Sequence, residues 1–275
     1  MRLACQERLL PGDTISERWD NARRAGYDGI ELHGHPDFAL RERLPELRHA
    51  ATAGVVFSSV CAAMRHFIGS FDADLRRDAI ENVKSQLSVI AELGGVGVVT
   101  PAAYGMYTRK LPPFEPPPRT EDEDAEVLVA SLTELGEHAA SEGVSVLFEP
   151  LNRYEDHMVN RLDQGAVIVG AVGIDAVKLV VDTYHMNIEE DDPPAAVREA
   201  GPLVGHVQLG DSARWQPGTG HVDFAAIVDA LHDIGFGGWL ALECNLRGDP
   251  MDALAQGSAV LRPLIHRTGR VGSCE

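Results

Sequence analysis

A closed (β/α)8 barrel, a single α/β domain, is the architecture that the sequence predicts, and three observations predict it. Short β-branched apolar runs alternate eight times with longer amphipathic or Ala-rich stretches. A glycine follows seven of the helical stretches, at Gly26, Gly54, Gly94, Gly143, Gly173, Gly201 and Gly235, where a left-handed residue closes a last turn without a Cβ penalty. The Gly-x-Gly-x-x-Gly that usually follows the first strand of a doubly wound sheet is absent. Repeated alternation means parallel strands joined by right-handed crossovers, and eight units close a barrel.

In order, strand 2–6 precedes helix 14–25, closed at Gly26, and strand 27–33 precedes helix 40–53, closed at Gly54. Strand 55–62 leads to helix 72–93 and Gly94, strand 96–101 to helix 122–142 and Gly143, and strand 144–151 to helix 161–172 and Gly173. Strand 177–185 leads to helix 194–200 and Gly201, strand 203–211 to helix 224–234 and Gly235, and strand 238–245 to helix 252–265. One stretch breaks the rhythm: 104–124 carries Pro112, Pro113, Pro116, Pro117 and Pro118 beside Lys110 and Arg119. Proline removes donors and fixes φ, so this is a semi-rigid loop at the C-terminal face, a lid or a surface insertion. Residues 1–265 are read as the barrel and 266–275 as a flexible tail.

The chain has 275 residues, with 24 Lys and Arg against 42 Asp and Glu, a formal net charge of −18. That balance repels phosphate backbones and anionic headgroups within roughly a Debye length, ~8 Å at physiological salt. Neither a nucleic-acid nor a membrane partner is expected. The start, MRLACQERLLPGD, lacks the apolar core of a signal peptide, and no stretch reaches the ~20 apolar residues of a membrane span, so a cytoplasmic protein is expected. Cys5, Cys61, Cys244 and Cys274 show no C-x-x-C spacing and are read as reduced thiols, most of them in the core.

In a barrel the reacting groups belong at the C-terminal ends of the strands. Polar residues interrupt the apolar runs there: Glu149 after Val-Ser-Val-Leu-Phe, Asp182 after Val-Lys-Leu-Val-Val, His206 and Gln208 on the seventh run, and Glu243 after Trp-Leu-Ala-Leu. Any one alone is accounted for by a helix cap or a solvated strand end. Four strands in succession call for a divalent cation, because converging carboxylates resist ionising together in a confined site. Earlier in the chain, Glu31 and His66 are candidates for the pocket wall, and Tyr104, Tyr107 and Trp215 lie in loops at the right end.

These residues sit in FEPLNRYE (148–155), VDTYHMNIEE (181–190), HVQLGDSARWQPGTGHVDF (206–224) and ALECN (241–245). In them, and over nearly its whole length, the chain resembles the xylose-isomerase-like barrel proteins, the sugar phosphate isomerases and epimerases. The first two stretches are most similar to ketose 3-epimerases of the D-tagatose and D-psicose group, the third to hydroxypyruvate isomerases. The resemblance implies metal ligands at Glu149, Asp182 and Glu243. The fourth ligand in the ketose 3-epimerases is the second His of an H-x-H on strand seven; that position is Gln208 here, as in hydroxypyruvate isomerases, and His206 matches the first. Gln208 is taken as the ligand. His206, two residues back on the same face, is read as facing the substrate side or the barrel core. Three carboxylates and an amide oxygen form a hard set that favours one Mn2+ or Mg2+, with Co2+ admissible, over Zn2+.

The resemblance further implies that His185 meets a substrate oxygen with Arg214 as its guanidinium partner, that Glu155 supports them, and that His66 belongs to the substrate pocket. It implies a sugar or keto-sugar substrate whose C–H is acidified as an enediolate forms, with Glu149 and Glu243 removing and returning the proton. Return to the other face of the carbon is epimerisation, and the principal expectation is a ketose 3-epimerase. Return to the neighbouring carbon is aldose–ketose isomerisation. A dimeric or tetrameric assembly is implied as well. The Gly-rich 217–224 reads as a turn into a helix whose N–H groups meet an anion, or as a plain tight turn. Two rivals stand against this. Endonuclease IV is similar in fold and in its Asp-x-x-His pair, but needs further His ligands where this chain has Thr100-Pro101 and Arg214-Trp215-Gln216. A non-catalytic sugar-binding barrel is the other.

Overall fold

The computed structural model describes residues 1–107 and 116–266. Lys110, Pro112 and Pro113 of the proline-rich stretch, and Cys274 with the tail after His266, lie outside the described residues. Eight strands form a closed barrel in sequence order, each parallel to the next. They are β1 (Arg2–Gln6), β2 (Gly29–His33), β3 (Phe57–Cys61), β4 (Gly97–Pro101), β5 (Ser145–Glu149), β6 (Val177–Asp182), β7 (Val204–Leu209) and β8 (Trp239–Leu242). Around them run α1 (Ile15–Arg24), α2 (Ala39–Glu42), α3 (Leu44–Thr52), α4 (Ala73–Glu92), α5 (Glu121–Glu142), α6 (Leu162–Val172), α7 (Thr183–Glu189), α8 (Pro193–Ala200), α9 (Phe224–Asp233) and α10 (Pro250–Ile265). Among the described residues no helix is long and apolar enough to cross a membrane.

Helix starts follow from side-chain oxygens that satisfy the first N–H groups. Thr14 and Thr120 form capping boxes with Glu17 and Glu123, and Asp72, Asp192, Asp223 and Asp249 cap α4, α8, α9 and α10. All seven glycines after the helices have positive φ.

Two expected elements divide. The stretch expected as one helix over 40–53 is two, because Pro45, which has no N–H to give, starts a new helix in its first turn. The run expected as a strand over 177–185 ends at Asp182, whose Oδ1 accepts the N–H groups of Tyr184 and His185 and so caps α7. His185 therefore stands on a helix.

The period of two along each strand separates two cores. Leu3 and Cys5, Val146 and Phe148, Leu179 and Val181, Val207 and Leu209, and Leu240 and Leu242 join the layer beneath the helices. Their alternates fill the barrel: Ala4, Trp239 and Ala241 in one cluster, Val99, Leu147 and Val180 in another. Trp239 occupies so much of it that a Cβ on Gly29 would lie 2.8 Å from its ring. Following the same inward rows toward the C-terminal end, Leu147 gives way to Glu149, Val180 to Asp182, His206 to Gln208 and Ala241 to Glu243.

Candidate active site

Glu149 and Asp182 end their strands, Gln208 is one residue from the end of β7, and Glu243 follows β8. The register pairs Asp182 with Gln208, and Glu243 donates its main-chain N–H to Leu209. Glu149, Asp182 and Gln208 are buried. Burial, then Glu243 and Asp182, push the Glu149 carboxyl well above its usual range. Burial and Asp182 push Glu243 up to about 7, and burial pushes Asp182 up to about 6. Three acids that resist ionising together are what a divalent cation relieves.

Two acceptors here are buried without a hydrogen-bond partner, Oε1 of Gln208 and Oε2 of Glu243. A buried polar atom left bare costs ~1–3 kcal/mol, so the pair fits a bound cation. Glu149, Asp182, Gln208 and Glu243 together offer only oxygen, the donor set of Mg2+ or Mn2+.

His185 offers a third bare atom, Nε2, and ligand atoms of Glu149, Asp182 and His185 lie within 4.8 Å of one another. Its hydrogen bonds nevertheless set it apart from a ligand. The main-chain N–H of Asn152, which can only donate, lies 3.1 Å from Nδ1, and the Asn152 Nδ2 lies 2.7 Å from the same atom. Burial and Arg214 hold the ring's pKa down to about 4, so it is neutral at neutral pH. Its single proton is then on Nε2, 3.7 Å from Glu149. His185 is thus a hydrogen-bond donor through Nε2, beside Glu149.

Arg214 holds a left-handed backbone with φ 57°. Its Nη1 meets both Glu155 oxygens at 2.9 and 3.0 Å, its Nη2 lies 3.5 Å from Glu243, and its guanidinium stands over the Tyr184 ring. The loop that carries it is built around Asp211, whose carboxylate accepts the N–H groups of Ser212, Gly218, Thr219, Gly220 and Val222. The anion that the Gly-rich 217–224 meets is therefore the chain's own, and those donors are spent on it.

Above these groups opens a cavity of about 1030 Å³ lined by Glu149, Glu155, Arg214, Glu243 and His66. Its apolar side is Met64, Phe67, Phe71, Leu75, Tyr104 and Met106. Of this wall only Tyr104 is anticipated by the sequence, because the rest are scattered over two loops and the first turn of α4 without a motif. Tyr107 packs on His157, and Trp215 lies under the guanidinium of Arg247.

Glu31 does not line the pocket as expected. It is fully buried, with His206 Nε2 at 2.8 Å, and His206, buried as deeply, belongs to the barrel core rather than to the substrate side. Burial alone would raise the Glu31 carboxyl, but hydrogen bonds from His206, Ser59 and Gln208 hold it below its usual value.

A family model described as xylose isomerase-like TIM barrel matches residues 19–264. The 3-dehydro-D-guloside 4-epimerase of Escherichia coli (strain K12) is 34% identical over 264 residues, which cover 95% of this chain and 99% of that enzyme. An L-ribulose 3-epimerase of Mesorhizobium japonicum is 34% identical over 226 residues, covering 81% and 73%. The crystal structure of the 3-keto-D-glucoside 4-epimerase from E. coli superposes with a TM-score of 0.89 at 34% identity, over 96% of this chain and 99% of that one.

Proposed function

Since the chain belongs to the xylose isomerase-like TIM-barrel family, we propose that it is a carbohydrate epimerase that depends on one divalent cation, Mn2+ or Mg2+, and inverts a carbon next to the carbonyl of a keto-sugar. The observation that carries this is the pair of bare, buried oxygens of Gln208 and Glu243 set among carboxyls with raised pKa values. When bound, the cation would acidify the C–H beside the sugar carbonyl by drawing charge toward oxygen. Glu149 and Glu243 are the two bases: one takes the proton from one face of the carbon and the other returns it to the opposite face. The Nε2–H of His185 donates to a sugar oxygen, and Arg214, braced by Glu155, fixes the sugar beside Glu243.

The size of the cavity and its apolar side favour a hexulose or a keto-glycoside over a three-carbon substrate. Aldose–ketose isomerisation is the second reading, favoured by the amide at position 208, as in hydroxypyruvate isomerases. A dimer or tetramer in the cytoplasm completes the proposal. The test is reconstitution: after chelation, Mn2+ or Mg2+ restores epimerisation of a keto-sugar, and full activity with Zn2+ alone contradicts the all-oxygen ligand set.

A further inference from the structure

Beneath the site lies a carboxylate that the proposed reaction does not use. Both oxygens of Glu31, on β2, are saturated by donors from three other strands. Oε1 accepts from Gln6 Nε2 at 3.1 Å and Gln208 Nε2 at 3.0 Å, and Oε2 from Ser59 Oγ at 2.7 Å and His206 Nε2 at 2.8 Å. Gln6 shows how the arrangement orders an amide: its Oε1 takes Arg8 Nε at 2.7 Å while its NH2 faces Glu31.

A primary amide is nearly symmetric in shape and opposite in chemistry at its two ends. Turned over, the Gln208 amide would set its oxygen against a buried carboxylate, acceptor against acceptor, and aim its N–H groups at the ligand carboxyls. Only one orientation satisfies Glu31, and it leaves Oε1 buried and unpartnered on the residue in register with Asp182.

We propose that Glu31 is a positioning residue: from across the barrel, its carboxylate locks the Gln208 amide with the oxygen toward the metal site, which is what makes a neutral amide serviceable as the fourth ligand. This rests on the metal reading above and extends it to a residue outside the ligand set. It also gives a purpose to a fully buried carboxylate that touches neither the cavity nor the reacting groups.

The test is a double-mutant cycle on Mn2+ affinity, measured by calorimetry on protein first shown to be folded by circular dichroism. Glu31→Gln keeps the size and still accepts from Ser59 and His206, but no longer dictates the amide's orientation; Mn2+ binding weakens about 10- to 100-fold, the range for lost outer-shell partners. Gln208→Glu opposes two buried carboxylates. The double variant, with an amide at 31 donating to a carboxylate at 208, restores the pairing and binds Mn2+ at least about tenfold more tightly than Gln208→Glu alone. Wild-type affinity in Glu31→Gln, or effects that simply add, overturns the inference. Neutron diffraction from wild-type crystals in D2O decides it without any variant: both amide deuterons of Gln208 lie on the atom facing Glu31, and deuterons facing the metal site refute it. A wild-type protein that binds no Mn2+ refutes the metal reading itself, whereas binding that ignores Glu31 refutes this inference alone.

Discussion

The main-chain N–H of Asn152 lies 3.1 Å from Nδ1 of His185, and that bond decides what the imidazole is able to do. With Nδ1 occupied, the ring's proton is on Nε2, 3.7 Å from Glu149, and a side chain that proximity alone would count among the metal ligands is a hydrogen-bond donor, the role proposed for it toward substrate.

His185→Ala therefore separates binding of metal from binding of sugar. Mn2+ affinity stays within about threefold of wild type, because the four proposed oxygen ligands remain, while kcat/KM falls about 10²- to 10³-fold, as for loss of one donor to a developing oxyanion. Calorimetry and steady-state kinetics on the same preparation check both. A large loss of Mn2+ affinity would make His185 a ligand.

Glu149→Gln and Glu243→Gln each remove a proposed base but keep the side-chain shape. Turnover falls at least about 10²- to 10⁴-fold in either variant, with circular dichroism unchanged. Near-normal turnover in Glu243→Gln would sink the two-base scheme.

The raised carboxyls make the metal-free protein sensitive to alkali. A group whose pKa is raised by folding lends stability below its unfolded value, ~4.3 for Glu, and loses it as pH climbs through the folded value. Glu243 titrates at about 7, and Glu149 is also pushed well up. His185, held down to about 4, acts in the opposite sense, but only below its unfolded value, ~6.5. Between pH ~6.5 and ~8 the melting temperature of the chelated protein accordingly falls, and Mn2+ raises it more at the upper end than at the lower. A scan that shows the chelated protein gaining stability over this window contradicts the buried acid cluster.

Asp211→Ala strips the acceptor from five main-chain N–H groups at once. At ~1–3 kcal/mol for each buried donor left bare, partly offset by water, a loss of about 3 kcal/mol in denaturant unfolding is expected. Activity falls too, since Arg214 donates its own N–H to the Asp211 carbonyl in this loop. Unchanged stability would mean that the turn holds itself.

The barrel was legible because its signals are local. A glycine after a helix and a carboxylate at the end of an apolar run are visible within a few residues, and Glu149, Asp182, Gln208 and Glu243 do come to one end of the barrel. The break after Asp182 was hidden because one carboxylate both ends the strand and caps a helix. Glu31 was misplaced for a different reason: its partners Gln6, Ser59, His206 and Gln208 are 25, 28, 175 and 177 residues away. No window along the chain holds that network. Most of the apolar side of the cavity was missed likewise, because Phe67 and Met106 come to one cavity only once the loops after β3 and β4 are in place.

Proton NMR in D2O tests the central claim most directly. The Mn2+- or Mg2+-loaded protein is incubated with a panel of free ketoses, ketose phosphates, hydroxypyruvate and keto-glycosides; Mg2+ or removal of Mn2+ before recording keeps the lines narrow. Two-carboxylate epimerisation predicts deuterium at a single carbon next to the carbonyl of one keto-sugar, together with the inverted epimer, and no inverted epimer in Glu149→Gln. Metal-loaded protein that exchanges no carbon-bound proton in any member of the panel would contradict it.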